Sequence, residues 1–182
     1  AAPGDLLVIY GPCGSGKSSL LAALCGEIRH IAGGRGIVCG NLALSPQRAW
    51  VSNATLRNNV LYGQPMVQWK YEAVLHACAL LPDLEALPAG DETEIGERGV
   101  NLSGGQQQRV SLARACYAAA IGAADVVLLD DPLSALDAHV YREGPFDLGL
   151  GSSLPHRGPG FGAFAAITTG KCHACHQPQA QA

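Results

Sequence analysis

The stretch GPCGSGKSS, residues 11–19, sets Gly11, Gly16, Lys17 and Ser18 at the spacing G-x-x-x-x-G-K-[ST]. That spacing suits an anion rich in oxygen. Glycines let successive backbone N–H groups turn inward around phosphate oxygens. A helix starting behind them adds the positive end of its dipole. Lys17, one of only three lysines in the chain, is placed to reach the β- and γ-phosphates of a nucleotide, and Ser18 to ligate Mg²⁺. Pro12, Cys13, Gly14, Ser15 and Ser19 complete the predicted phosphate loop.

A second group of candidates lies in VVLLDDPLSALD, residues 126–137. Carboxylates at the end of a buried strand are costly unless they hold something. Beside a phosphate loop, the first of the pair, Asp130, is expected to reach the Mg²⁺ shell. A third lies in LSGGQQQR, residues 102–109, where Ser103, Gly104 and Gly105 open another helix with bare backbone donors. Because the chain already carries one cradle, a second anion site points to a nucleotide held by a partner. An ordinary capped helix would give the same short pattern.

These groups need elements to position them. DLLVIY (5–10) reads as a buried strand ending at Gly11, and DVVLLD (125–130) as another. KSSLLAALCGEI (17–28) has a helical apolar face, broken by Gly33, Gly34 and Gly36. GIVCGNLAL (36–44) suggests a hairpin turning at Gly40 and Asn41. ATLRNNVLYG and VQWKYEAVLHACALL read as helices, the first capped by Thr55, with Trp69 and Lys70 on a partly exposed face. Residues 81–105 look loop-rich and acidic, and 103–120 form a helix capped by Ser103. Strands alternating with helices predict an α/β domain with a largely parallel sheet.

At 182 residues the chain is long enough for one domain with a substantial core. Its net charge of −3 supplies no overall basic footprint for nucleic acid. No apolar run approaches the roughly 20 residues a membrane-spanning helix needs, and no secretory leader is visible. The chain does not begin with Met and its only Met is Met66, so it is expected to be part of a longer one. Seven scattered cysteines read as reduced thiols of a cytosolic compartment. From about Tyr141 the pattern changes: residues 144–182 hold 11 Gly or Pro in 39, predicting an irregular tail after a domain of residues 1–140.

Taken in order, GPCGSGKSS, SPQRAW, NLSGGQQQR, VVLLDDP and SALD resemble the ATP-binding cassette of ABC transporters over roughly residues 3–140. They match the Walker A, Q-loop, signature, Walker B and D-loop motifs. The resemblance implies a P-loop NTPase fold with a helical signature-motif subdomain, and ATP with Mg²⁺ as ligands. PQRAWVSNATLRNNVLYG, TEIGERGVNLSGGQ and the 30-residue interval from Lys17 to Gln47 are similar to the multidrug-resistance-associated, or C, subfamily, its first cassette in particular.

By this resemblance Gln47 would sense Mg²⁺ and the attacking water while linking the site to the membrane domains. Residues Ser103, Gly104, Gly105 and Gln106 would cap ATP bound to an opposing cassette, paired head-to-tail, and residues 134–137 would line the interface. The implied partners are that second cassette and the transmembrane domains, with no nucleic acid. The implied place is the cytoplasmic face of a membrane. Rival classes are a soluble ABC ATPase and a non-catalytic nucleotide-binding or truncated module.

Two departures from the family bear on chemistry. Hydrolytic cassettes place Glu after the Walker B Asp, as general base; here the residue is Asp131, one methylene shorter, with a similar pKa but less reach. The family also continues into a strand and a switch His on the γ-phosphate. YREGPFDLGLGSSLPHRGPGFGAF does not match, and His173 and His176 are not preceded by a recognisable β-rich strand. The aromatic that stacks on adenine lies on a strand upstream of this sequence in the family, so an incomplete cassette is expected at both ends. Binding is therefore expected to outweigh hydrolysis at the chain's own phosphate loop.

CHACH, residues 172–176, fits the C-x-x-C-H haem-attachment pattern. Four donors within five residues close poorly around one Zn²⁺, and the stretch is read as incidental. Cys13, near a helix start, invites a lowered thiol pKa, against the plainer reading of an inert loop position.

Overall fold

The computed structural model describes residues 6–29, 38–97, 99–132 and 164–169. Residues 134–137 and the histidines of CHACH lie outside the described residues, as do Gly33, Gly34 and Gly36.

Four strands form the main sheet, in the order β1 (Leu6–Tyr10), β6 (Phe164–Thr169), β5 (Val126–Asp130) and β2 (Leu42–Ser45). β2 and β5 pair in parallel, Leu42 opposite Val126 and Ser45 opposite Leu129. β6 runs antiparallel to both neighbours, so β1, β5 and β2 share one direction. The parallel tendency read from the sequence is therefore present in three strands and reversed in the fourth. β6 also corrects the expectation that no strand precedes His173 and His176: Phe164–Thr169 is one, and it pairs on both sides.

VVLL is a continuous apolar run because β5 is buried on both faces. Val127 and Leu129 point into a core built by α2 (Leu56–Leu61), α3 (Gln68–Ala77) and α5 (Gly104–Ala120), while Val126 and Leu128 meet Leu21 of α1 (Lys17–Leu24) on the other face. Period-two alternation thus divides one strand between two cores. β1 is different: Leu7 is 47% and Tyr10 68% exposed, so the expectation of a buried strand is corrected there. Among the described residues its ladder has one neighbour, β6.

The hairpin expected over 36–44 is also corrected. Among the described residues, 42–45 form a single strand whose partner is β5, 84 positions away in register. Gly40 has φ +109, and a Cβ there would run into Asp125, whose carboxylate accepts a hydrogen bond from the Asn41 N–H at 2.8 Å. The Gly-Asn pair is thus a bend tied to the start of β5. α1 stops at Leu24, earlier than expected, with Gly26 at φ +80 just beyond it.

The stretch expected to be loop-rich contains a short helix, α4 (Leu81–Ala86), then a 3-10 turn at Gly90–Glu92 and β4 (Glu94–Ile95), which pairs antiparallel with β3 (Ala54–Thr55). α2 begins as expected: Thr55 Oγ1 accepts from the Asn58 N–H at 3.1 Å.

Candidate nucleotide site

The phosphate loop follows β1 directly. Ser15 N–H donates to Pro12 O at 3.2 Å, closing a turn, and Gly14 and Gly16 take φ +79 and +89. An L-residue at either position would be strained, since left-handed backbone costs roughly 1–2 kcal/mol per residue. The loop from Pro12 through Gly16, with Ser18 and Ser19, is exposed; Lys17 is not, at 8%. Its Nζ donates to Gly11 O at 2.9 Å, Pro12 O at 2.8 Å and Ser15 Oγ at 3.2 Å. The ammonium is thereby folded over the loop's own carbonyls. Gly16 caps α1 with no side-chain hydrogen bond, so the first N–H groups of the helix are left to a ligand. Exposed donors, a tethered cation and a helix start without a side-chain cap fit a bound polyphosphate.

Register brings the other candidates to the same edge. Tyr10 stands opposite Phe164 and Asp130 opposite Ala165, so β1 and β5 end within one residue of each other across β6. β2 ends level with them, Ser45 facing Leu129, and Gln47 follows two residues later, exposed. The loop 11–19, Gln47, Asp130 and Asp131 therefore gather at the carboxyl ends of strands, where open α/β sheets bind ligands. Asp130 is half-buried. Asp131 is 8% exposed and sits at φ +49, a left-handed position that Asp tolerates better than most residues. Ser18, Gln47 and Asp130 carry hard oxygen atoms of the kind Mg²⁺ prefers.

Ser103, Gly104, Gly105 and Gln106 form a separate feature at the start of α5. Ser103 Oγ accepts from the Gln106 N–H at 3.3 Å, and Gln106 Oε1 accepts from the Ser103 N–H at 2.9 Å, a reciprocal capping box. Among the described residues, the side-chain hydrogen bonds of Ser103 and Gln106 run to each other and to Asp83, and none runs to loop 11–19. Farther along, Gln108 Nε2 donates to Pro46 O at 3.3 Å, and Ser45 Oγ lies 3.2 Å from Ser111 Oγ. α5 is thus fastened to the strand end from which Gln47 emerges.

Sequence reasoning missed three of the groups that hold α5. Asp83 accepts from Arg109 Nε at 2.7 Å and Nη2 at 2.9 Å. Lys70, read only as a surface residue, donates to Ala120 O at 2.6 Å at the helix's C-terminal end. Tyr117 accepts from Val67 N–H at 2.8 Å and donates to Pro65 O at 2.7 Å. A lone Asp inside LPDLEA was the one available signal for the first; nothing local marks the other two.

A phosphate loop behind the first strand, with carboxylates closing another strand at the same end of the sheet, defines the P-loop nucleotide-binding class. The chain belongs to the ABC transporter family, whose profile matches residues 1–134. It is 56% identical over 139 residues to rat ATP-binding cassette sub-family C member 3, covering 76% of this chain and 9% of that protein. The human sub-family C member 2 is 54% identical over 137 residues, covering 75% of this chain and 8% of that one. Multidrug resistance protein mrp-7 of Caenorhabditis elegans is 56% identical over 138 residues, 76% and 9% of the two chains. The chain is an ATP-binding domain of the C subfamily type, spanning about a tenth of its relatives' length. Among the described residues no helix is long and apolar enough to cross a membrane.

Proposed function

We propose that this chain is a nucleotide-binding domain of an ABC exporter, which holds Mg-ATP in loop 11–19 and pairs head-to-tail with a second cassette. The observation that carries the reading is the convergence of Lys17, Gln47, Asp130 and Asp131 at one sheet edge, with an uncapped helix behind Lys17. On binding, Lys17 exchanges its contacts with Gly11 O, Pro12 O and Ser15 Oγ for phosphate oxygens, so a charge held within the loop becomes one half of an ion pair. Ser18, Gln47 and Asp130 would hold Mg²⁺, which when bound screens the charge of the β- and γ-phosphates.

Turnover at this loop is slow in this reading. Asp131 carries the shorter carboxylate, is buried, and is held in a left-handed backbone position, so its reach toward a water is limited. The turn at Ser103, Gly104, Gly105 and Gln106 would face ATP held by the other cassette. The similarity to first cassettes of the C subfamily supports a role as the less active partner. Closure of the two would move transmembrane domains docked on this one, at the cytoplasmic face of a membrane. The exposed, edge-to-face pair Trp50 and Tyr62, with Arg114 stacked on both, supports a protein contact at these rings.

Calorimetric titration of Mg-ATP into the purified chain tests the reading. Saturable binding that weakens about 100-fold in Lys17→Ala is expected, the loss of charge-assisted hydrogen bonds. A folded wild-type chain that takes up no nucleotide would overturn it.

A further inference from the structure

Gln106 uses both ends of its side-chain amide. Oε1 accepts from the Ser103 N–H, completing the capping box, while Nε2 donates to Asp83 Oδ1 at 3.2 Å. Asp83 is itself 9% exposed and is the buried residue of the short helix α4. Its two oxygens receive Arg109 Nε and Nη2, one turn along α5. An amide that rotated by half a turn would present its oxygen to a carboxylate and its NH₂ to a backbone N–H, two repulsive contacts at once. The carboxylate therefore fixes which way Gln106 faces, and through it the Ser103 end of the helix. Arg109 holds the carboxylate in turn with a two-point fork.

We propose that Asp83 is the positioning residue of the 103–106 turn: it locks Gln106 in the one orientation that closes the capping box and so sets the direction of the Gly104 and Gly105 N–H groups. Asp83 touches no nucleotide in this scheme and acts through Gln106 and Arg109. The consequence for nucleotide rests on the proposed reading of that turn as a phosphate-facing one. The geometric assignment does not.

The test is amide hydrogen exchange by NMR on the full 182-residue chain, comparing the Ser103 and Gln106 N–H groups with those of Val110 and Leu112 deeper in the same helix. In Asp83→Asn the first two are expected to exchange about tenfold faster relative to the second two, the loss of one such contact. Equal acceleration at all four, or none, would make Asp83 a packing residue only and overturn the assignment. Gln106→Glu keeps the acceptor for Ser103 but sets two carboxylates together, and it is expected to open the turn in the same way. Combining it with Asp83→Asn reverses donor and acceptor, and should return exchange at Ser103 to within about threefold of wild type. A double variant no better than Gln106→Glu alone would also sink the proposal. ATP-dependent pairing with a second cassette is then measured on the same variants. If exchange responds while pairing does not, Asp83 keeps its role and the phosphate-facing reading of the turn fails.

Discussion

The two glycine-flanked helix starts of this chain have similar sequences on paper and opposite construction. At α1 the capping residue is Gly16, with φ +89 and no side-chain hydrogen bond, behind an exposed loop whose main internal polar contacts come from Lys17. At α5 the cap is Ser103, closed reciprocally with Gln106 and braced by Asp83 from another helix. Among the described residues, the side-chain hydrogen bonds of Lys17 at the first start stay within the loop itself, leaving helix N–H donors available to a ligand. The second is held from elsewhere in the fold, so its direction is set before any partner arrives. In the proposed reading, a loop that wraps a nucleotide and a turn that presents a fixed face to a second cassette place these different demands on similar residues.

The contrast breaks most visibly at Asp83. Asp83→Ala removes the carboxylate that both guanidinium contacts reach, with side-chain exposures of 14% and 11% for the pair, and is expected to cost about 3 kcal/mol of unfolding free energy. Urea denaturation measures it; a loss under about 1 kcal/mol would put the pair in the class of surface ion pairs and remove the brace.

Alkaline pH acts next, on the packing that holds α5. Tyr71 of α3 stacks edge-on against Tyr117 of α5 and donates to Asp91 Oδ2 at 3.0 Å. Burial first, then the Asp91 charge, raises its phenol far above the ordinary value of 10. Below that value both folded and unfolded chains keep the proton, and stability does not depend on it. Above it the unfolded chain releases the proton and the folded one does not, so stability falls by about 1.4 kcal/mol per pH unit. Tyr71→Phe should flatten that slope in denaturation curves taken above pH 10. Parallel slopes for the two proteins would mean that this phenol is not what couples the α3–α5 packing to pH.

The smallest expected effect is at the loop. Gly16→Ala forces an alanine into a left-handed position with open space around it, at a cost of about 1 kcal/mol. The free loop sheds that strain by relaxing and must restore it to bind, so Mg-ATP affinity should fall roughly fivefold with little change in the urea midpoint. A drop in stability as large as that of Asp83→Ala would show the loop to be as firmly braced as the 103–106 turn, and the contrast would vanish.

Much of this was legible in the residues. The strand ending at Asp130, the caps at Thr55 and Ser103 and the phosphate loop all depend on neighbours within a few positions, where propensity and spacing act. α4 was missed because six residues, with Pro82 at the start, carry less than two turns of periodicity. The supposed hairpin failed because Gly40 and Asn41 answer to Asp125, far along the chain, and no local pattern announces such a partner. β1 was misjudged because an apolar run does not say whether anything covers it.

By itself, then, the sequence determined the chemistry on offer: one phosphate loop with its lysine, a carboxylate pair behind an apolar strand with Asp where hydrolytic relatives carry Glu, and a second capped helix start. Tertiary structure alone decided where these meet. Register across β1, β6, β5 and β2 places loop 11–19, Gln47 and Asp130 on one edge, and β6 enters that sheet against the direction of its neighbours. It also decided that Gln106 would be held by Asp83, 23 residues upstream. The physical reason is separation along the chain. Turns and caps are closed by residues a few bonds apart, whereas strand order and a buried ion pair require segments that come together only when the core that brings them there has formed.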